Sequence, residues 1–384
     1  MKTLALFLLS LALAMSGSQA QAQVQTQAAD DGWLRVTAPR AWIFPRDHGS
    51  HPEFQSEWWY FTGNLVDTAD STGRPFGYQL TIFRQGITRH SAAGSAWATG
   101  DFYFAHFTIS DLAGGKFHFF ERLDRGALGQ AGSLQDRMEA WVRDWRIDTL
   151  GDPKAETYRL QAGADEEGVP AKIDLTLHPL KPLVYEGPGG LSQKGEESGN
   201  ASNYYSYPRL DTRGTLAVGG KSYAVSGLSW FDHEFSTSSL GAHEIGWDWF
   251  SLQLDSGEEV MLYLLRDDDG TIAATSSGTW VAVDGSKIDL HAADFQVEAS
   301  AIWTSPHTGG RYPARWRIRI PKVGADLTVE PRLADQELVL HELGDLSYWE
   351  GASRVAGTAQ GHAVAGTGYV ELTGYAHPLM GRKP

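Results

Sequence analysis

Along much of this chain apolar and polar residues alternate one by one, a period-two pattern that builds strands with one buried and one wet face rather than helices. Trp316, Ile318 and Ile320 alternate with Arg315, Arg317 and Arg319. Ile173, Leu175 and Leu177 alternate with Asp174 and Thr176, and Phe102-Tyr103-Phe104, Phe107 and Ile109 make an aromatic strand. Turn signals punctuate the pattern. Thr215 to Val218, Gly219-Gly220 and Ser222 to Val225 predict a tight hairpin, and Val281 to Val283 ends at Asp284-Gly285. The 43 glycines, 14 tryptophans and 14 tyrosines suit many short strands and tight turns. No amphipathic helix longer than about three turns is expected after the N-terminal segment. The fold class is therefore all-β, with antiparallel barrels or sandwiches as the architecture.

A length of 384 residues is enough for two domains, each burying its own core. A net charge of −15 argues against nucleic acid, because phosphate binding needs a basic face. The absence of cysteine excludes disulfides, thiolate metal sites, iron–sulfur clusters and cysteine nucleophiles. Met1-Lys2, the apolar run Leu4 to Met15 and the small residues Ser18, Ala20 and Ala22 read as a signal peptide over 1–22. The run is too short to span a bilayer comfortably. A secreted or periplasmic, soluble protein is expected.

Trp58 to Leu65 can be laid without a gap on Trp247 to Leu254, so that the first Trp, the Phe and the final Leu coincide. Such an echo marks two barrel-like units, one over 40–236 and the other over 240–384. Lys181 to Tyr205, rich in Gly, Ser and Pro, carries no clear strand and reads as a long lid or binding loop.

Glu57-Trp58-Trp59-Tyr60-Phe61-Thr62-Gly63-Asn64-Leu65 resembles the opening signature of the carotenoid 1,2-hydratase and AttH-like proteins. So do Trp230 to Ser236, Gly246 to Leu254, Tyr348 to Ala352 and Gly366 to Tyr375, in the expected order. The resemblance implies two tandem lipocalin-like (calycin) antiparallel β-barrels. For activity it implies addition of water to the terminal double bond of acyclic carotenoids, a carbon–oxygen lyase reaction, or the folding of polyene substrates in fungal relatives. Many exported bacterial members lie beside ABC-transporter genes, which implies an accessory role with a membrane ABC transporter as partner. Export after a signal peptide departs from what a pigment-pathway enzyme needs.

Two classes of function follow. As a binding protein, a barrel lined by Trp58, Trp59, Tyr60, Trp230, Trp247 and Trp249 would enclose an elongated apolar ligand, an isoprenoid, polyene or acyl chain. As a hydratase, it needs a strong proton donor beside aromatic faces that steady a cation. Asp248 and Asp232 are the candidate acids, His233 is their proton partner or the base that activates water, and Glu234 is a further candidate catalytic residue in the same polar cluster. Asp232-His233-Glu234 reads first as a polar turn tying the barrels together, with its charges paired to Arg. Asp248, between two tryptophans on a strand, points opposite to both. The discriminating feature is an acid facing an apolar cavity with a raised pKa, since a carrier would leave these acids paired or wet.

Asp47, His48, His51, Glu53 and Glu57 could bind a divalent ion, but their spacing fits a hydrogen-bonded loop better. No metal and no cofactor is expected. His106 in an aromatic strand reads as a core histidine. Gly227-Leu228-Ser229-Trp230 lacks the second glycine of a nucleophile elbow, which weighs against serine hydrolysis. The expected function is that of an exported monomer binding an elongated apolar small molecule, with hydration of an isoprenoid double bond as the alternative.

Overall fold

The computed structural model describes residues 27–28 and 32–378, apart from 70, 72, 90–97, 167, 238–239, 242 and 343–345. The signal peptide assigned to 1–22 lies outside them. Among the described residues there are strands and five short 3₁₀ turns but no α-helix, and no helix is long and apolar enough to cross a membrane.

The first sheet is built from β1 (Ser56–Asp67), β2 (Pro75–Gly86), β3 (Asp101–Asp111), β4 (Lys116–Arg125), β5 (Ala131–Ser133), β6 (Glu139–Val142), β7 (Trp145–Thr149), β8 (Tyr158–Glu166), β9 (Val169–Pro179), β10 (Ala201–Val218) and β11 (Lys221–Ser236). Their order is β4-β3-β2-β1-β11-β10-β9-β8-β7-β6-β5, all antiparallel where paired. The sheet curls until β4 and β3 lie against β5 and β6, a nearly closed barrel. The second sheet contains β12 (Glu244–Leu254), β13 (Glu259–Asp267), β14 (Ser277–Val281), β15 (Lys287–His291), β16 (Gln296–Thr304), β17 (Arg311–Ile320), β18 (Ala325–Pro331), β19 (Ser347–Ala359) and β20 (His362–Thr373). It runs β15-β14-β13-β12-β20-β19-β18-β17-β16 and forms a half-barrel. The lipocalin-like all-β expectation is met.

The hairpin expected at Gly219-Gly220 joins β10 to β11, both glycines at positive φ (59° and 78°) as a two-residue turn demands. β1 and β12, the strands that echo each other in sequence, hold equivalent places: each pairs with the strand after it and with the last strand of its own sheet. Lys181 to Tyr205 is less of a loop than expected. Val184–Tyr185 and Leu191–Gln193 pair with β10, which already begins at Ala201. Gly, Ser and Pro obscured strands that only their long neighbour could recruit.

Alternation then divides every central strand. Trp59 and Phe61 of β1, and Phe231 of β11, enter the first core with Phe107 and Trp145. Phe250, Leu252 and Leu254 of β12 enter the second core with Trp316 and Trp349. The opposite faces meet each other: Tyr60, Tyr204, Trp230, Trp249, Met261, Tyr263, Leu265, Ala352 and Tyr369 form a third cluster between the sheets. Close backbone approach helps here, because a Cβ on Gly77 of β2 would sit 2.7 Å from the Ala352 Cβ of β19. Lys181 Nζ reaches Glu259 Oε2 at 2.7 Å and Arg209 pairs with the same carboxylate, so charged groups also tie the barrels together.

Candidate functional site

Both barrel interiors are packed with side chains, and a cavity of about 520 Å³ lies between the sheets. The expectation placed a ligand inside a barrel; this cavity lies between the barrels instead. Its walls come from alternate residues of five strands: Trp58 and Tyr60 of β1, Asp232 and Glu234 of β11, Trp247 and Trp249 of β12, Glu350 of β19 and Glu371 of β20. Phe83, Phe104, Leu240, Tyr263 and Leu265 add apolar surface, and Lys194 adds a cation.

The strand period splits the predicted residues accordingly. Trp58, Tyr60, Trp247, Trp249, Asp232 and Glu234 line the cavity. Trp59 and His233 do not. They face the first barrel's interior, stacked at 5.1 Å, with the Trp59 indole donating to the His48 carbonyl at 3.0 Å. Trp230 packs behind the wall and donates through Nε1 to Asp232 Oδ1 at 2.6 Å. Asp248 lies on the second-barrel side, where Arg266 Nε and the Tyr375 hydroxyl donate to it at 2.9 Å and 3.0 Å. The aspartate flanked by tryptophans is thus a structural ion pair away from the cavity, because its neighbours took the cavity face.

Asp232 is buried and held by three donors. Tyr204 Oη donates to Oδ2 at 2.8 Å, and Trp230 and Ser206 donate to Oδ1. Burial nevertheless pushes its carboxyl well above the ordinary range, with the charge of Glu186 adding to the effect. Geometry agrees. The Ser206 hydroxyl lies 2.6 Å from Asp232 Oδ1 and 2.9 Å from Glu186 Oε1. With one proton to give, it satisfies one carboxylate fully, and the other position is met when either Asp232 or Glu186 donates back, while the three donors on Asp232 oppose part of the effect of burial. Glu234 differs, being paired with Lys194 Nζ at 3.0 Å.

Glu350 and Glu371 were not singled out from the sequence, although both lie in segments that carry the family resemblance. The available signal was an acid two residues after a tyrosine, on the same strand face, in Tyr348-x-Glu350 and again in Tyr369-x-Glu371. They are direct partners across β19 and β20. Tyr60 Oη donates to Glu350 Oε1 at 2.5 Å, bridging the two barrels. Burial first, and then mutual repulsion, raise Glu350 far above the usual range, while burial lifts Glu371 to about 7.

Under the cavity floor, His51, Glu57 and His233 bring ligand atoms within 4.8 Å of one another. Hydrogen bonds account for this cluster. His51 Nδ1 and His233 Nε2 lie 2.9 Å and 3.0 Å from Glu57 Oε1, and Arg84 Nε donates to Oε2 at 3.0 Å. The guanidinium occupies the carboxylate's other oxygen and would repel a dication, so the donor set does not suit a metal. His106, expected in the core, is buried with Nδ1 2.6 Å from Tyr348 Oη, and burial lowers its pKa to about 3.

These shifts set a pH dependence. Glu371 and Glu186 are both lifted to about 7, against roughly 4.3 in an unfolded chain, so the fold prefers them protonated. Their contribution is full below the unfolded value and is lost as pH rises through about 7. Glu57, held far below its usual range by its histidine and arginine partners against the opposing effect of burial, contributes above the unfolded value and is lost in acid. Thermal unfolding should therefore be latest at mildly acidic pH, near 5–6 by this linkage, and earlier near pH 8. Glu371→Gln should flatten the alkaline limb, and a melting temperature that rises from pH 5.5 to 8 contradicts the assignment.

Residues 35–375 match the AttH-like family model. A Nitrosomonas europaea protein bearing the AttH name has a similar structure, with 30% identity, 88% of this chain and 99% of that one covered, and a TM-score of 0.76. Kievitone hydratase from Nectria haematococca shares the fold at 16% identity over 92% of this chain and 98% of that one, with a TM-score of 0.65. CghA with Sch210972 is similar at 12% identity over 90% and 97%, with a TM-score of 0.50. No curated protein matches in sequence. With its signature segments on the walls of one inter-barrel cavity and the family model matching nearly its whole described length, the chain belongs to the AttH-like family.

Proposed function

We propose that the inter-barrel cavity takes up an elongated apolar molecule, an isoprenoid by preference, and adds water across one of its carbon–carbon double bonds. The observation that carries this reading is Asp232, a buried carboxyl on an aromatic cavity wall whose pKa burial pushes well above the ordinary carboxylate range. Protonating an alkene needs an acid that has not already lost its proton at neutral pH. The carbocation formed lies in a cavity lined by Trp58, Tyr60, Trp247 and Trp249, aromatic rings whose quadrupoles can favour positive charge. Water then attacks the cation and gives up a proton, so the sum is alkene plus water to alcohol. A cavity of about 520 Å³ is in the range of small-molecule sites.

A carrier reading keeps the same ligand without the chemistry, and the Glu234–Lys194 pair, neutralised at the cavity wall, favours it locally. Export to the periplasm or beyond, and hand-over to an ABC transport system, belong to that reading as well. Incubation with geraniol, farnesol and squalene in oxygen-18 water separates the two. The hydratase reading expects a tertiary alcohol carrying the label. Retention of the isoprenoids without any labelled alcohol would leave the carrier, and neither retention nor label would remove both. Mass spectrometry of an organic extract of the natively produced protein identifies the compound class that fills the cavity.

A further inference from the structure

Hydration needs a base as well as an acid, and Asp232 supplies only the acid. Across the cavity, on the second barrel, Glu350 and Glu371 face each other on adjacent antiparallel strands. Directly opposed side chains of this kind have Cβ atoms roughly 4.5–5.5 Å apart, too close for two full negative charges in an apolar wall. Glu350 is wholly buried, its Oε1 takes the Tyr60 hydroxyl, and its Oε2, with Tyr348 nearby, has no well-formed hydrogen bond among the described residues. A buried carboxyl oxygen without such a bond at a cavity wall points to a proton it carries or a ligand it awaits. Glu371 is less buried and lies beside the Trp247 indole at the same wall.

We propose that Glu350 and Glu371 hold one proton between them and form the base of the site, taking the proton that the attacking water gives up. This rests on the hydration reading. In the step, the Asp232 carboxyl protonates one alkene carbon and becomes a carboxylate. Water oxygen bonds to the other carbon, and its proton passes to Glu371. Glu350 keeps its proton throughout, fixed in place by Tyr60. The proton gained by Glu371 returns to Asp232 through water in the cavity, and no oxidant, reductant or metal is consumed. The titration of Glu371 near neutrality suits a base that must be free at the start of each cycle and protonated at its end.

Two measurements on the full-length protein decide the matter. Carboxyl carbon-13 resonances of glutamate-labelled protein, followed against pH, should show two linked steps for the pair. Glu371→Gln should lower the midpoint of Glu350 by about one pH unit or more, since coupled groups interact on that scale. A Glu350 midpoint that does not move in this variant overturns the shared proton. In the oxygen-18 assay, Glu371→Gln should reduce kcat by roughly 100-fold or more with little change in KM, and Glu371→Asp should restore part of it. Full turnover by a folded Glu371→Gln protein overturns the base while leaving hydration intact. A wild-type protein that hydrates none of the isoprenoids overturns the hydration reading and the base together, and the carboxyl titration alone still decides whether the pair shares its proton.

Discussion

Asp232→Asn should lower hydration turnover by roughly 10²- to 10⁴-fold while leaving the fold and the retention of farnesol close to wild type. Asparagine has the same shape and keeps an oxygen to accept the Trp230 indole, which lies 2.6 Å from Oδ1. Its amide, however, cannot release a proton to carbon. The Tyr204 hydroxyl that donates to Oδ2 can rotate to avoid the new amide, at a cost of about 1–2 kcal/mol in stability. Asp248→Asn is the control. That carboxylate serves Arg266 and Tyr375 outside the cavity, so its loss should show in unfolding and leave turnover largely unchanged. Steady-state rates and denaturation curves of the two variants give opposite patterns. Undiminished turnover in Asp232→Asn would falsify the choice of acid.

Arg84→Met should cost about 3–5 kcal/mol, a lowering of the unfolding temperature on the order of 10 °C. Arg84 is 1% exposed and spends every guanidinium nitrogen. Nε donates to Glu57 at 3.0 Å, Nη1 to Asp101 at 2.7 Å, and Nη2 to the carbonyls of His51 and Phe54. Methionine fills part of the volume but removes the fixed cation beside the buried Glu57 carboxylate, which keeps only its His51 and His233 partners, and it strands two carbonyls. The loss arises mainly from uncompensated buried charge, so Arg84→Met combined with Glu57→Gln should cost clearly less than the two single changes added together. Additive costs in guanidinium unfolding, followed by tryptophan fluorescence, would show that the pair does not act as a unit. Because this cluster backs the cavity floor, substrate retention should weaken in the same variant.

Much of the molecule is legible in the amino-acid sequence. The alternation in Arg315 to Ile320 and in Ile173 to Leu177 gave strands because period two can bury only one face, and those segments are β17 and β9. The Gly219-Gly220 hairpin followed from backbone conformations that glycine alone adopts cheaply. Asp248's opposition to Trp247 and Trp249 was also legible, whereas its ion pair with Arg266 was not. The short strands within Lys181 to Tyr205 escaped detection because pairing with β10, rather than their own propensity, makes them. Glu350 and Glu371 escaped for a different reason: an acid on an apolar strand reads as solvent-facing until a second sheet covers it.

What the sequence determined by itself is which residues share a face: Trp58 with Tyr60, Asp232 with Glu234, Trp247 with Trp249, Glu350 with Ala352. This follows from strand geometry, in which successive side chains must point to opposite sides. What only the tertiary structure decided is where each face ends up. The barrel interiors close on the Trp59, Phe61 and Phe250 side, and the other faces meet across a cavity in which Tyr60 touches Glu350 from the far end of the chain. Local pattern fixes relative orientation, but burial of a carboxyl, and with it the proton it keeps, depends on a partner surface that packing alone brings into place.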